Sequence, residues 1–156
     1  MILQNLDDIE WTAQSIFDHV CKHLLIDQKE LSYSYNRECA YRTTNRDGKT
    51  LACGIGCLIP DEYYSKGIES NNIEYIMSTN FELEESDKFN EFIAFIREKL
   101  DLKSSNLSVD FINSLQYAHD KVVQFDDREK VSVDCLKLLR QHLSNVAEEY
   151  YLEMNV

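Results

Sequence analysis

Glycine and proline, the residues that interrupt helices, are almost confined to one stretch of this chain. Cys39 to Tyr64 holds three of the four glycines, the only proline and three of the five cysteines among 156 residues. Outside it little opposes long helices, and the apolar residues recur at the spacings of three and four that an amphipathic helix needs. The chain is therefore expected to be helical around one irregular, β-forming insert.

Residues 6–25 read as the first helix, with Leu6, Ile9, Ala13, Ile16, Phe17, Val20 and Leu24 on one face and acids in the first turn. His19 and His23, four apart, share a face and form a candidate metal pair or simply a basic helix end. Three later helices are predicted: about 87–100 capped by Ser86, about 108–124 capped by Ser108, and about 129–153. Residues 68–85 suggest short helical pieces and an acidic loop. The expected fold is α+β: a single, mainly helical domain over residues 1–156, with one hairpin at about 38–58 packed on four or five helices.

Within the insert, Tyr41-Arg42-Thr43-Thr44 is β-rich, Asn45-Arg46-Asp47-Gly48 has turn chemistry, and Thr50 to Ile59 is the return arm. A four-residue loop pairs Thr44 with Lys49 and Ala40 with Cys53, which brings Cys39 near Cys53. On a regular strand Cys53 and Cys57 then share a face. Gly54 and Gly56 mark a bulge or a point of close backbone approach.

The net charge of −12 disfavours non-specific binding to nucleic acid or an anionic membrane. It suits a solvated surface or contact with a basic protein. No apolar run has the roughly 20 residues of a membrane helix. The acidic start lacks the basic region of a secretory signal, so a cytoplasmic setting and reduced thiols are expected. Charge is uneven: Asp61 to Asp101 has eleven acids against four bases, whereas Arg37 to Lys49 has four bases against two acids.

Two stretches carry a resemblance. Cys39-x-Tyr41-Arg42 precedes Cys53-x-x-Gly56-Cys57-Leu58-Ile59-Pro60-Asp61-x-x-Tyr64, and Leu115-Gln116-x-Ala118-His119-Asp120 follows later. Together they resemble the signature of a largely uncharacterised family of small phage and bacterial proteins. The resemblance implies a phage or mobile-element setting and marks residues, but supplies no activity. The acidic segment after Ser65 looks like an insertion relative to that family.

Four functional readings remain open. Cys39, Cys53, Cys57 and His119 could hold zinc as Cys₃His, although the usual Cys-x₂-Cys spacing is absent; the alternative is buried thiols and a core histidine. Arg37, Arg42 and Lys49, with Tyr41, Asp61, Tyr64, His119 and Asp120, could receive a small anion such as a nucleotide; the alternative is a structural pair of Arg42 with Asp61 or Asp120. Catalysis by a cysteine with His119 is less favoured, because neighbouring side chains on a helix diverge by about 100° and Asp120 could not orient His119. No P-loop, His-Glu-x-x-His or Gly-x-Ser-x-Gly motif is present. Last, Glu82, Glu84, Glu85 and Asp87, with nearby tyrosines, could present charge to a basic host protein, as an acidic inhibitor of a defence or nucleic-acid enzyme would. A binding protein without a cofactor is the favoured expectation. A metal- or ligand-dependent function centred on the hairpin and His119 is the alternative.

Overall fold

The computed structural model describes residues 1–34, 36, 38–125 and 133–156. The architecture is mainly helical α+β. Five α-helices occur among the described residues: α1 (Ala13–Lys22), α2 (Ile73–Ser78), α3 (Asp87–Asp101), α4 (Val109–Phe125) and α5 (Val133–Glu149). A two-stranded antiparallel hairpin joins them, β1 (Arg42–Thr44) with β2 (Thr50–Ala52). No described helix is long and apolar enough to cross a membrane.

The expected helix at 6–25 begins later, at Ala13. Thr12 is its cap and accepts the Ser15 N–H at 3.3 Å. Leu6–Asp8 form a separate 3₁₀ turn, and the Trp11 indole N–H returns to the Leu6 carbonyl at 2.7 Å. Trp11 meets Phe92 and Phe95 edge-on, fastening this segment to α3. Past Lys22 the helix widens into a π segment, His23–Gln28, which stops at Lys29 in the left-handed region (φ 59).

The caps at Ser86 and Ser108 are as the sequence implies, each hydroxyl accepting the N–H three residues on. Phe89, Phe92, Ile93 and Ile96 of α3 are buried, as are Ile112, Leu115, Ala118 and Val122 of α4. Helix α4 packs against α1, α2 and α5. Helix α5 buries Leu139, Leu143, Val146 and Ala147; the expected start of this helix at 129–132 lies outside the described residues. Gln14 and Glu153 exchange two hydrogen bonds, of 2.8 and 2.9 Å, which tie the C-terminal tail to α1.

The hairpin register differs from expectation by one residue. Thr44 faces Thr50, and Arg42 faces Ala52. Gly48 takes φ +78, and Asn45 closes the loop with its side-chain oxygen on the Asp47 and Lys49 N–H groups and its own N–H on the Lys49 carbonyl. The left-handed glycine adds one residue as a bulge and slides the partner strand. The return arm also ends early. Beyond Ala52 the chain coils, with Gly56–Leu58 in a 3₁₀ turn and the Cys57 N–H on the Cys53 carbonyl at 3.0 Å, so Cys53 and Cys57 do not share a strand face.

The approach expected at Gly54 and Gly56 is by the chain's own backbone. A Cβ on Gly56 would stand 1.9 Å from the Tyr41 carbonyl oxygen; one on Gly54 would lie 3.2 Å from the Leu115 carbonyl oxygen and 3.3 Å from a Val20 methyl. Gly54 thus seats the hairpin between α1 and α4. Gly56→Ala must push two backbones apart and should destabilise the fold by about 3 kcal/mol or more. Gly48→Ala meets open space and should cost about 1–2 kcal/mol, for the left-handed backbone alone. Denaturant melts of the two variants check the order; equal losses would contradict it.

Candidate functional site

Two loci border the hairpin. The first is a polar cluster where residues 32–53 meet α4. His119, fully buried, accepts the Ser32 N–H through Nε2 at 3.1 Å. A backbone N–H can only donate, so the ring proton of the neutral imidazole is on Nδ1. Nδ1 lies 3.4 Å from Cys39 Sγ and 3.6 Å from Asp120 Oδ1. His119 and Asp120 therefore do approach one another, although they are neighbours on a helix; the contact exceeds hydrogen-bond distance. The Asp120 Oδ1 atom is buried without a hydrogen-bond partner.

Cys53 adjoins Cys39, as the pairing expected for the hairpin implied. The neighbouring Cys53 thiol first, then burial, and after them Asp120, push the Cys39 thiol well above its ordinary range. With its one lone pair committed to Ser32, His119 is a donor toward Cys39 and cannot take the thiol proton. A cysteine–histidine nucleophile is disfavoured on that geometry.

The metal set read from the sequence is redistributed. Ligand atoms of Cys39, His119 and Asp120 all lie within 4.8 Å of one another, the one such group among the described residues. Cys57 stands outside it. Its thiol is fully buried and donates to the Gly54 carbonyl at 3.2 Å. The His19 and His23 pair is outside as well. A metal on Nδ1 would move the ring proton to Nε2 and set two buried donors, Nε2–H and the Ser32 N–H, against each other, so one must turn away and both lose their bond. At about 1–3 kcal/mol for each donor this is a real cost, still below the roughly 10–16 kcal/mol of a structural zinc site.

The second locus is a cleft of about 400 Å³ lined by His23, Asp27, Gln28, Arg42, Lys49 and Asp61 among others. Three residues of the anion set, Arg42, Lys49 and Asp61, meet here. The others are elsewhere. Tyr41 is buried and donates to the Asn71 carbonyl at 2.7 Å. Tyr64 donates to Glu69 at 2.7 Å and lies beneath the Arg42 guanidinium, 4.7 Å from ring centre to Cζ. His119 and Asp120 belong to the cluster. Arg37 lies outside the described residues.

Arg42 is partly committed, with its terminal nitrogens on Asp61 and on the Ile59 carbonyl. The structural pair with Asp61 is thus present, and its Nε is buried without a partner. Lys49 is exposed and loosely held, 3.9 Å from Glu30. His23 is 3% exposed; its Nε2–H donates to the Ala52 carbonyl at 3.2 Å, which leaves Nδ1 a bare acceptor without a partner. Burial first, and then the nearby N-terminal amine, push the His23 pKa down to about 4.

Gln28 and Glu69 were not legible as site residues. Gln28 accepts the Ala52 N–H at 2.8 Å and donates to its carbonyl at 2.9 Å. Glu69 takes the N–H groups of Tyr41 and Arg42, both at 3.0 Å. Both sit among other polar residues, Asp27-Gln28-Lys29 and Glu69-Ser70-Asn71, so nothing in the sequence singles them out.

The acids Glu82, Glu84, Glu85 and Asp87 are all exposed. Leu83 between them is buried, and Asn90 bonds both its N–H and its carbonyl. Of the tyrosines expected at this face, Tyr75 is exposed, while Tyr63 and Tyr64 are half-buried.

No protein-family model matches the chain, and no curated protein and no solved structure shows detectable similarity to it.

A histidine held neutral by burial must charge as acid is added, so it stabilises the fold above its unfolded pKa of 6.5 and that stability is lost as the pH falls toward 4. The loss should be on the order of 3 kcal/mol, from about 1.4 kcal/mol per unit. In His23→Gln, whose amide can still donate to Ala52, this limb should shrink; what is left belongs to His19 and His142, which burial also pushes down, and to carboxylates at lower pH. Urea melts at pH 7, 5.5 and 4 test it; identical pH curves for both proteins would refute it.

Proposed function

We propose that this chain is a binding protein, and that its cleft takes a small anionic ligand of the nucleotide class. One observation carries the reading. Two buried polar atoms of opposite sense, the acceptor His23 Nδ1 and the donor Arg42 Nε, both lack partners, and both residues line the same cleft. Buried polar groups are almost always satisfied, so such a pair beside one cleft favours a polar guest there. A phosphate or carboxylate meets the exposed Lys49. Arg42 Nε–H and His23 Nδ1 are closed off in the free protein, and they join the ligand only when their side chains turn toward the cleft. The cleft volume is at the lower end of small-molecule sites. Gln28 holds Ala52 from both sides, so the floor is preorganised.

The test is thermal denaturation, with chelator present, against mononucleotides, cyclic dinucleotides and sugar phosphates. A true ligand at a hundred times its Kd stabilises by about 2.7 kcal/mol. Lys49→Ala should weaken that ligand at least tenfold without lowering the melting temperature of the free protein. No stabilisation by any of these ligands at millimolar concentration would overturn the reading.

The acidic loop supports a second, compatible reading. Because Asn90 fixes Leu83, the carboxylates of Glu82, Glu84 and Glu85 project from an ordered loop rather than a floppy one. Such a face suits a host protein of basic surface, as an inhibitor of a defence or nucleic-acid enzyme in a phage setting would need. Replacing all three by Gln should weaken capture of that partner and flatten its salt dependence. An unchanged salt slope would remove the loop from consideration.

A further inference from the structure

We infer that Cys39, His119 and Asp120 form a site for a zinc-class divalent cation, separate from the cleft. The distances carry this first. Typical zinc bonds of about 2.3 Å to sulfur, 2.0–2.1 Å to nitrogen and 2.0–2.2 Å to oxygen imply tetrahedral edges of roughly 3.4–3.6 Å. Cys39 Sγ stands 3.4 Å from His119 Nδ1, and Nδ1 stands 3.6 Å from Asp120 Oδ1. Two edges of the tetrahedron are therefore already present, and the third is no longer than 4.8 Å.

The chemistry of the donors agrees. A thiol, an imidazole nitrogen and a carboxylate are ligands that a borderline cation accepts together. Asp120 Oδ1 is buried with no hydrogen-bond partner, an acceptor that lacks a positive group. Cys53 lies beside Cys39 but outside this close group, with its sulfur on the Gly56 N–H; water takes the fourth position unless Cys53 moves in. Cys39 and the Asp120 side chain are each part-exposed, so the group lies just beneath the surface.

Loading releases one proton net. The Cys39 thiol proton leaves to solvent, and sulfur gives its freed pair to the metal. The Nδ1 proton of His119 leaves, Nε2 takes one up, and the ring stays neutral. Ser32 gives up its acceptor. The bound ion then clasps the segment carrying Cys39 to α4, two parts of the chain 80 residues apart.

Cobalt(II) titration of the full-length, reduced, chelator-stripped protein tests this. One equivalent should give a near-ultraviolet sulfur-to-cobalt charge-transfer band and intense visible bands of tetrahedral cobalt, both displaced by zinc. The charge-transfer intensity counts thiolates: one means water is the fourth ligand, two means Cys53. Cys39→Ser should abolish the band, and Asp120→Asn should weaken cobalt at least tenfold. Cys57→Ala should leave the band unchanged. No charge-transfer band in the wild-type protein, or an undiminished band in Cys39→Ser, would overturn the proposal. The wild-type titration needs no variant to fold. It is also blind to the cleft, whose lining has no thiol to give the charge-transfer band, and the nucleotide test in chelator is blind to the metal.

Discussion

Two strands of three residues cannot hold together on their own, and side chains stand in for the missing neighbours. Gln28 grips both polar groups of Ala52, as an adjoining strand would. Glu69 receives the N–H groups of Tyr41 and Arg42. Ser32, fully buried, donates its hydroxyl to the Ala40 carbonyl at 2.8 Å and its N–H to His119. An unmet backbone group in this setting costs about 1–3 kcal/mol, so each of these polar residues is worth as much as a large apolar contact. The helices supply the walls; this network keeps the hairpin between them.

The same network positions both loci. His23 and Gln28 reach Ala52 from the π segment that ends the first helix, and they form one side of the cleft. Widening the helix there is what turns both side chains onto one carbonyl. Ser32 lies between Ala40 and His119, so it fixes the imidazole and thereby which nitrogen faces Cys39. Arg42 joins hairpin to cleft: its backbone N–H is on Glu69, its ring partner is Tyr64, and its terminal nitrogens are on Asp61 and Ile59.

What the sequence reveals follows from range. Ser86 and Ser108 are legible as caps because a cap acts on a group three residues away. Apolar faces of α3 and α4 are legible because periodicity is local. The register failed on one residue, Gly48, since a left-handed glycine closes either a tight loop or a bulge and composition does not separate them. The helix start failed because Leu6 and Ile9 keep the apolar spacing while the chain there is not helical. In the cluster, Cys39, Cys53 and His119 were legible as chemistry, but exchanging Cys57 for Asp120 was not. The divergence of helix neighbours argues against a His119–Asp120 contact; only the geometry of both rotamers beside Cys39 brings it about. Gln28 and Glu69 act across 24 to 28 residues on backbone atoms, and such bonds leave no pattern to read.

The hairpin therefore has two chemically distinct sides held by one set of bonds. Cys39 and Tyr41 alternate with Arg42, so a period of two sends the thiol and phenol toward α4 and the α2 region and the guanidinium toward the cleft. A ligand that draws on Arg42 pulls on the backbone that Glu69 holds. An ion that takes His119 releases Ser32 from one of its bonds, and Ser32 also steadies Ala40. The two loci share residues 40–42 and no side-chain ligands. Any coupling between them must pass through that short stretch of backbone, whose only slack is set by Gly56, pressed against the Tyr41 carbonyl.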